Sequence, residues 1–368
     1  MKIAMIGSRG LGTSYGGIER VLDAVCPELV ALGHDVDVFA ATSATDSNLR
    51  GLKVVKVPSI AGKHTETISR SILSLALALG QYDIIHFHAI GPGILSAATR
   101  LFRQPTVVTI HGLDQRRDKW GPIAKSCLSM AENTIVRCAD RITVVSEELR
   151  RYFVERHDVR TSFIPNGLPV VTPVPPGPLL KALGLAGRRY VFFASRLTPE
   201  KGCHDLIEAH KRVSEDATLV IAGKALQPDY EANLATLAGP NVLFVGHRSG
   251  ADLQELYSNA TLFVLPSYLE GMSMALLEAM AYDIPTIVSD IPENIRVVGN
   301  AAIRFQARDV SGLAGALAEA LARPLDAAPV TPEWPTWSKV ARSYSDVYDR
   351  VMARPLPAPG QLYERKLR

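Results

Sequence analysis

Short apolar runs alternate with segments of helical period along almost the whole chain. That pattern predicts parallel strands covered by helices on both faces. The first half opens with a strand over Lys2–Ile6, a glycine loop SRGLGTSYGG, a helix from Ile18 to Leu32 and the alternating strand Asp35–Ala40. Strands follow at Lys53–Val57, Tyr82–Phe87, Thr106–Ile110 and Arg141–Val145. Helices fall at Thr67–Leu79, Leu95–Phe102, Ile123–Cys138 and Glu147–Glu155, the last opened by Ser146 as its cap. Ser162–Pro165 closes this half, for six or seven strands in all. Strand, glycine loop, helix, strand is the opening of a doubly wound α/β sheet.

The Pro-rich run VTPVPPGP at 171–178 interrupts the alternation and reads as an extended, semi-rigid linker. The same style then resumes. Strands are predicted at Tyr190–Ala194, Thr218–Ala222, Asn241–Val245, Ala260–Leu265, Thr286–Ser289 and Ala302–Phe305. Helices are predicted at Cys203–Val213, 229–237, 251–258 and 309–322, with another rich in Met, Ala, Leu and Glu ending near Ala281. Trp334–Met352 is an amphipathic helix with an aromatic face, and the Pro-rich, then basic, stretch after it reads as disordered. The expected organisation is a Rossmann-like domain over 1–168 and a second over 169–332, with the linker at about 169–180. A C-terminal helix over 333–354 and a tail over 355–368 follow.

Composition narrows the function. A chain of 368 residues exceeds what one core organises. At 47% apolar and 21% charged, it has the balance of a globular protein. A net charge of +3 is too small to imply a nucleic-acid partner, and none is expected. Residues 1–168 hold 20 basic and 16 acidic side chains, and the remainder 20 and 21. This mild bias suits an anionic acceptor or a membrane surface on the first half. Four scattered cysteines form no C-x-x-C, which points away from a zinc site or a disulfide framework and fits a reducing cytosol. No apolar run reaches ~18 residues, and MKIAMIG is too short for a signal peptide. Glycines at 7, 10, 12, 16 and 17 do not spell G-x-G-x-x-G, so a nicotinamide dehydrogenase is unsupported. Asp35 and Asp37 form a D-x-D, but the alternation of DVDVF makes them the polar face of a strand rather than a metal site.

Two stretches carry candidate chemistry. Leu265–Ala281 (LPSYLEGMSMALLEAMA) runs from strand through loop into helix. Glu270 falls in the loop and Glu278 on the helix, with Ser273 as N-cap or first-turn residue. The amides of Gly271, Met272 and Ser273 then point forward as donors for a phosphate or a hydroxylated ligand. A buried turn with two surface acids is the competing reading of this stretch alone. The second stretch, SRLTPEKG, follows an apolar strand and opens a helix. Arg196 and Lys201 bracket it, and two cations with free helix amides make a diphosphate pocket. Gly16 and Gly17, just before a helix, allow close backbone approach to an anion.

E-x(7)-E ending in LLEAMA, together with R-L-x-x-E-K-G, resembles the donor site of retaining glycosyltransferases of family 4, which have the GT-B architecture. The GG pair at 16–17, D-x-x-H-x-H at 83–88, IHG at 110–112 and PNG at 165–167 match in order, so the resemblance covers about residues 1–354. GSRGLGTSYGGIE, GKHTET, HGLDQRRDKWG and Glu132 are similar to a bacterial polysaccharide subgroup, the rhamnosyltransferase-like enzymes. The resemblance implies two Rossmann-like domains facing across a cleft, with the C-terminal helix crossing back to the first. It implies that Arg196 and Lys201 hold the leaving diphosphate and that Glu270, with the amides of Gly271, Met272 and Ser273, holds donor-sugar hydroxyls. Glu278 would accept from the ribose, and Met274 and Leu277 would flank the nucleotide. Gly16 and Gly17 would approach the phosphates, and His111 would lie beside the transferred sugar. The base would sit near Gly223, Lys224, Val245, Gly246 and His247. Met272-Ser273 stands where the family often has Phe-Gly, and Ala275 where it often has Pro, so the sugar stays unassigned.

The acceptor is expected on the first domain, with His64, Glu66, Asp114, Arg116, Arg117, Lys119 and Trp120 as candidates. A basic, aromatic loop can hold a lipid-linked diphosphate glycan; a solvated charged loop is the equal alternative for each residue singly. His86 and His88 are read as ending a strand, not as catalytic. The reading is then a metal-independent retaining transfer from a nucleotide-diphosphate sugar, without a cofactor. The acceptor is a glycan or an undecaprenyl-diphosphate-linked glycan, in bacterial surface polysaccharide synthesis at the cytoplasmic face of the inner membrane. No carboxylate is placed as a nucleophile, which favours front-face attack. Two alternatives share the fold: a non-enzymatic partner subunit, and a sugar-nucleotide epimerase or hydrolase.

Overall fold

The structure is a computed structural model and describes residues 1–12, 16–62, 65–116, 121–213, 217–225, 227–322 and 333–353. The chain forms two compact units. One is Met1–Gly167 with the segment from Pro335, and the other is Leu168–Trp334.

The first unit runs β1 (Lys2–Ile6), α1 (Gly17–Ala31), β2 (Asp35–Ala40), β3 (Leu52–Lys56), α2 (Thr65–Ala78) and β4 (Ile84–His88). It continues with α3 (Ile90–Gly93), α4 (Ser96–Leu101), β5 (Thr106–Ile110), α5 (Pro122–Cys138), β6 (Arg141–Val144), α6 (Glu147–His157) and β7 (Ser162–Phe163). Among the described residues the seven strands form one parallel sheet in the order β3-β2-β1-β4-β5-β6-β7. Registers such as Ile3↔Ile84 and Val107↔Arg141 align the carboxyl ends along one edge. Both faces of β4 and β5 are buried, which is why IIHFH and TVVTI carry almost no charge. The helix predicted at Leu95–Phe102 is α4, and α3 is an additional short helix just before it. Gly91, Pro92 and Gly93 make up most of α3, a composition that does not mark a helix in the sequence.

The second unit runs α7 (Pro178–Ala182), β8 (Tyr190–Ala194), α8 (Cys203–His210), β9 (Thr218–Ala222), α9 (Pro228–Leu237), β10 (Val242–Gly246) and α10 (Gly250–Ser258). β11 (Leu262–Leu265), α11 (Met274–Ala281), β12 (Thr286–Ser289), α12 (Pro292–Val298), β13 (Ile303–Phe305) and α13 (Val310–Ala322) complete it. Its parallel sheet has the order β10-β9-β8-β11-β12-β13 among the described residues. One core cluster, built on Val191, Phe193, Leu206, Ile207, Leu219, Ile221 and Leu317, lies under α8, α9 and α13. Two elements go beyond the sequence reading. α12 starts with Pro292 at its first turn and stops at Gly299 (φ 55°). α7 forms inside the predicted linker, because the buried Glu255 carboxylate accepts from the amides of Gly177 (2.8 Å), Leu179 (3.3 Å) and Leu180 (2.7 Å). Gln254, Ser258 and Asn259 bond to the backbone of Thr172 and Val174. The Pro-rich run is therefore strapped to α10 rather than spanning open solvent.

α14 (Trp337–Met352) packs against α1, so the last helix joins the first unit. Its buried residues Trp337, Val340, Ala341, Tyr344, Val347, Tyr348 and Val351 recur at helical spacing. The Tyr348 hydroxyl lies 2.8 Å from His86 Nδ1, and both side chains are buried. His34 Nε2 lies 2.9 Å from Ser345 Oγ. Tyr348→Phe leaves the His86 nitrogen without that partner and is expected to cost about 1–3 kcal/mol, read as a lower urea midpoint at unchanged m-value. An unchanged midpoint would show that this contact contributes nothing. Among the described residues no helix is long and apolar enough to cross a membrane. The tail over 355–368 lies outside the described residues.

Candidate functional site

The second unit brings its predicted residues to the carboxyl edge of the sheet. Arg196 and Lys201 follow β8, Gly223 and Lys224 follow β9, Gly246 and His247 follow β10, and Glu270 to Ser273 follow β11. β8 and β11 are neighbours, so the two motif loops leave the sheet at its topological switch point, where open α/β sheets bind ligands.

Backbone contacts lock these loops together. The Tyr268 amide donates to the Glu200 carbonyl at 2.8 Å. Gly202 (φ 66°) lies so close to the other loop that a Cβ there would stand 2.2 Å from the Pro266 carbonyl oxygen. On the other flank the Leu197 amide donates to the Lys224 carbonyl at 3.1 Å and the Gly223 amide to the Gly246 carbonyl at 2.8 Å. Across the switch point Lys201 Nζ donates to Glu270 Oε1 at 2.6 Å. Their side chains are 13% and 6% exposed, so this pair is only weakly screened by water. Ser273 is the N-cap of α11, with its Oγ accepting from the Leu276 amide at 3.3 Å.

A second layer, absent from the sequence reading, fixes the loop that carries Glu270. The Tyr268 hydroxyl donates to Asp205 and lies 3.2 Å from His204 Nε2, while the Arg308 guanidinium sits 3.9 Å from the Tyr268 ring centre. His204 Nδ1 lies 2.9 Å from the Tyr230 hydroxyl. These partners are 26 to 64 residues apart along the chain, beyond the reach of any periodic pattern.

In the first unit Gly16 is the N-cap of α1, and a Cβ on it would meet Glu19 Oε2 at 2.8 Å. Gly17 faces open space. Arg9 donates its amide to Glu19 at 2.9 Å and its guanidinium to Glu66 at 3.0 Å. Glu66 also accepts from the buried Arg70 at 3.1 Å. Glu66 thus ties the loop after β1 to α2. His111, at the end of β5, stacks on His88 with Nε2 3.1 Å from His88 Nδ1. Asp114 and Arg116 lie in a single 3-10 turn after it. That turn is held from below by Glu132, which accepts from Gln115 (2.5 Å) and the Tyr152 hydroxyl (2.9 Å) and pairs with His157 (2.5 Å) and Arg156 (3.4 Å). Asp37 accepts from the Tyr82 hydroxyl at 2.6 Å, which gives one acid of the D-x-D a partner within the fold.

Some placements differ from the expectation. Leu277 has no exposed surface and Met274 is 8% exposed. Both pack inward from α11 and support it. The helix is apolar nearly all round, which left its inward face unmarked in the sequence. Glu278 lies on α11 and is half-buried. Lys224, Gly246 and His247 are exposed. His64, Arg117, Lys119 and Trp120 lie outside the described residues.

Comparison with known proteins converges on one activity. Residues 15–171 match the model of Glycosyltransferase Family 4, and residues 180–329 match Glycosyl transferases group 1. A glycogen synthase of Mycobacterium tuberculosis is 27% identical over 88% of this chain and 87% of its own length. The UDP-Gal:alpha-D-GlcNAc-diphosphoundecaprenol alpha-1,3-galactosyltransferase of Escherichia coli is 32% identical over 63% of this chain and 64% of its own. The fold is similar to sucrose-phosphate synthase from Thermosynechococcus elongatus, with a TM-score of 0.78, 22% identity and 96% and 99% of the two chains covered. It is also similar to Anabaena HepE in complex with UDP-glucose, at 0.71, 19%, 96% and 95%.

Proposed function

We infer the donor, acceptor and mechanism from the premise that this chain is a glycosyltransferase of the GT-B fold, its two halves matching the two family models in order. The proposed reaction moves a sugar, with retention at its anomeric carbon, from a nucleotide-diphosphate sugar to a glycan or an undecaprenyl-diphosphate-linked glycan. The observation that carries it is the Lys201–Glu270 pair at the switch point, on the same sheet edge as Arg196 and the loops after β9 and β10. A cation and a carboxylate side by side suit a ligand with an anionic and a hydroxylated end. Lys201 and Arg196 meet the diphosphate, whose charge grows as the glycosidic bond breaks. Glu270 and the amides of Gly271 to Ser273 accept from and donate to sugar hydroxyls. Glu278 meets the ribose, and the base lies over Gly223, Lys224, Gly246 and His247. His111 lies beside the transferred sugar, and Gly16 and Gly17 approach the phosphates. Proton transfer from the acceptor hydroxyl to the leaving diphosphate oxygen makes front-face attack the favoured route, with protein cations in place of a metal.

Relatives support the substrate classes. Anabaena HepE binds UDP and UDP-glucose, and the Escherichia coli galactosyltransferase acts on a diphosphoundecaprenol-linked sugar. The acceptor then meets the turn at Asp114 to Arg116 and the neighbouring residues Arg117, Lys119 and Trp120, at the cytoplasmic face of a bacterial inner membrane. The motifs GSRGLGTSYGGIE and HGLDQRRDKWG support the rhamnosyltransferase-like subgroup as the finer part of this proposal.

A thermal-shift screen against UDP, GDP, dTDP, ADP and their sugar conjugates in EDTA tests the reading. A ligand present at 100 times its Kd stabilises the native state by about 2.7 kcal/mol, so one nucleotide is expected to raise Tm by several degrees without metal. No shift with any nucleotide, with or without a polyprenyl-linked acceptor, would overturn the donor site and favour a non-enzymatic partner subunit. Turnover of donor without acceptor would favour the epimerase or hydrolase.

A further inference from the structure

We propose that His88 is a positioning residue that fixes the tautomer of His111, with the proton on His111 Nε2 donated to His88 Nδ1. The inference rests on the reading of His111 as a donor-sugar neighbour for its consequence, but not for its geometry. β4 and β5 are adjacent in parallel register, with His88 opposite Thr109, so the last residue of one strand meets the first residue beyond the other. His88 is 1% exposed, and burial, with the neighbouring imidazoles of His86 and His111, holds its pKa well below the usual value. At neutral pH its ring is therefore uncharged, with one nitrogen a donor and the other an acceptor.

Its two partners decide which is which. Nδ1 lies 3.1 Å from His111 Nε2, and Nε2 lies 3.5 Å from Met5 Sδ. A thioether sulfur has lone pairs and no proton to give. The Nε2 contact is therefore favourable only when Nε2 carries the proton. His88 Nδ1 is then a lone pair, and the bond to His111 forms only if His111 donates from Nε2. The opposite arrangement sets two lone pairs against each other at Met5 and strands a buried nitrogen.

His86 packs against His88 with centroids 4.3 Å apart and planes tilted by 31°, and its own nitrogens lie 2.8 Å from the Tyr348 hydroxyl and 2.7 Å from Thr109 Oγ1. Thr109 Oγ1 lies 2.5 Å from Thr143 Oγ1. The stack is thus clamped by α14 on one side and by β5 and β6 on the other. A neutral His111 protonated on Nε2 can only accept at Nδ1. In that uncharged form it suits a donating hydroxyl of the sugar rather than a phosphate oxygen.

Long-range 1H–15N correlation spectra of the full chain, labelled with 15N-histidine and without ligand, test this directly. Signals are assigned by His88→Phe and His111→Gln. At pH 7.5 both His88 and His111 are expected as single Nε2–H tautomers. A His111 ring protonated on Nδ1, or an averaged mixture, overturns the proposal. His88→Phe keeps a ring in place but removes the acceptor, so His111 is expected to average between tautomers. With the sugar nucleotide that gives the thermal shift, kcat is expected to fall about 10-fold or more at little-changed KM. Loss of stability with the His111 tautomer and kcat unchanged would reduce His88 to a packing residue. If the tautomer is fixed as stated but His111→Ala transfers sugar at the full rate, the role of His111 falls while the clamp stands.

Discussion

Replacing Lys201 by alanine is expected to lower kcat/KM for sugar transfer by about 10²–10³-fold, the usual loss when one preorganised group facing a developing charge is removed. The same variant should no longer show a nucleotide-induced rise in Tm. Full transfer activity would sink the assignment of Lys201 to the diphosphate. The ligand-free protein supplies a second readout. Lys201 and Glu270 are bonded at 2.6 Å with little exposure, so removing the lysine leaves a largely buried carboxylate without its cation. For a fully buried pair that costs about 3–5 kcal/mol, and the 13% and 6% exposure puts this pair near that regime. Lys201→Ala should therefore unfold at a lower temperature. Removing Glu270 as well deletes the stranded charge, so the double variant should be more stable than Lys201→Ala alone. The two sites are in contact, and their effects should not add. A double variant as destabilised as the sum of the two single ones would mean that the pair is not coupled. Glu270→Gln keeps the acceptor oxygen but not the charge and should fall between wild type and Lys201→Ala in stability.

The central strands of the two sheets were the most legible part of the chain. YVFFA, TLVIA and TVVTI are buried on both faces, and such strands must be apolar throughout. Ser146 and Ser273 were placed correctly as caps because a cap is a local device, set by a hydroxyl and an amide three residues on. What escaped the sequence was choice of partner over distance. Lys201 and Glu270 were both singled out, but their direct bond spans 69 residues. Glu66 was read as an acceptor candidate, and the structure engages it with Arg9 and the buried Arg70. Glu255, which caps α7 from 75 residues away, gave no signal at all, since an acid on an amphipathic helix ordinarily faces water. Likewise His88 read as the end of a strand, and only the fold brings Met5 and His111 to its two nitrogens.

Gly202→Ala should be among the most damaging single changes in the second unit. Gly202 adopts φ 66°, ψ 19°, where an L side chain costs about 1–2 kcal/mol. It also lies against the neighbouring loop, where the new methyl carbon would stand 2.2 Å from the Pro266 carbonyl oxygen. No rotamer relieves that clash, because both atoms belong to or adjoin backbone. The Pro266 loop must move, and with it the Tyr268–Glu200 backbone bond and the Lys201–Glu270 pair. A total loss of about 3 kcal/mol or more follows from strain plus broken contacts, together with loss of nucleotide binding. Gly184 gives the matching control. It has φ 67° in the same unit, yet no atom lies within 4 Å of its missing Cβ. Gly184→Ala should therefore show only the conformational cost, about 1–2 kcal/mol, and keep its nucleotide-induced shift in Tm. Urea unfolding of both variants separates the two contributions. Equal midpoints would mean that the close approach of the two loops adds nothing, and that the switch-point loops are held by other contacts than the ones at Gly202.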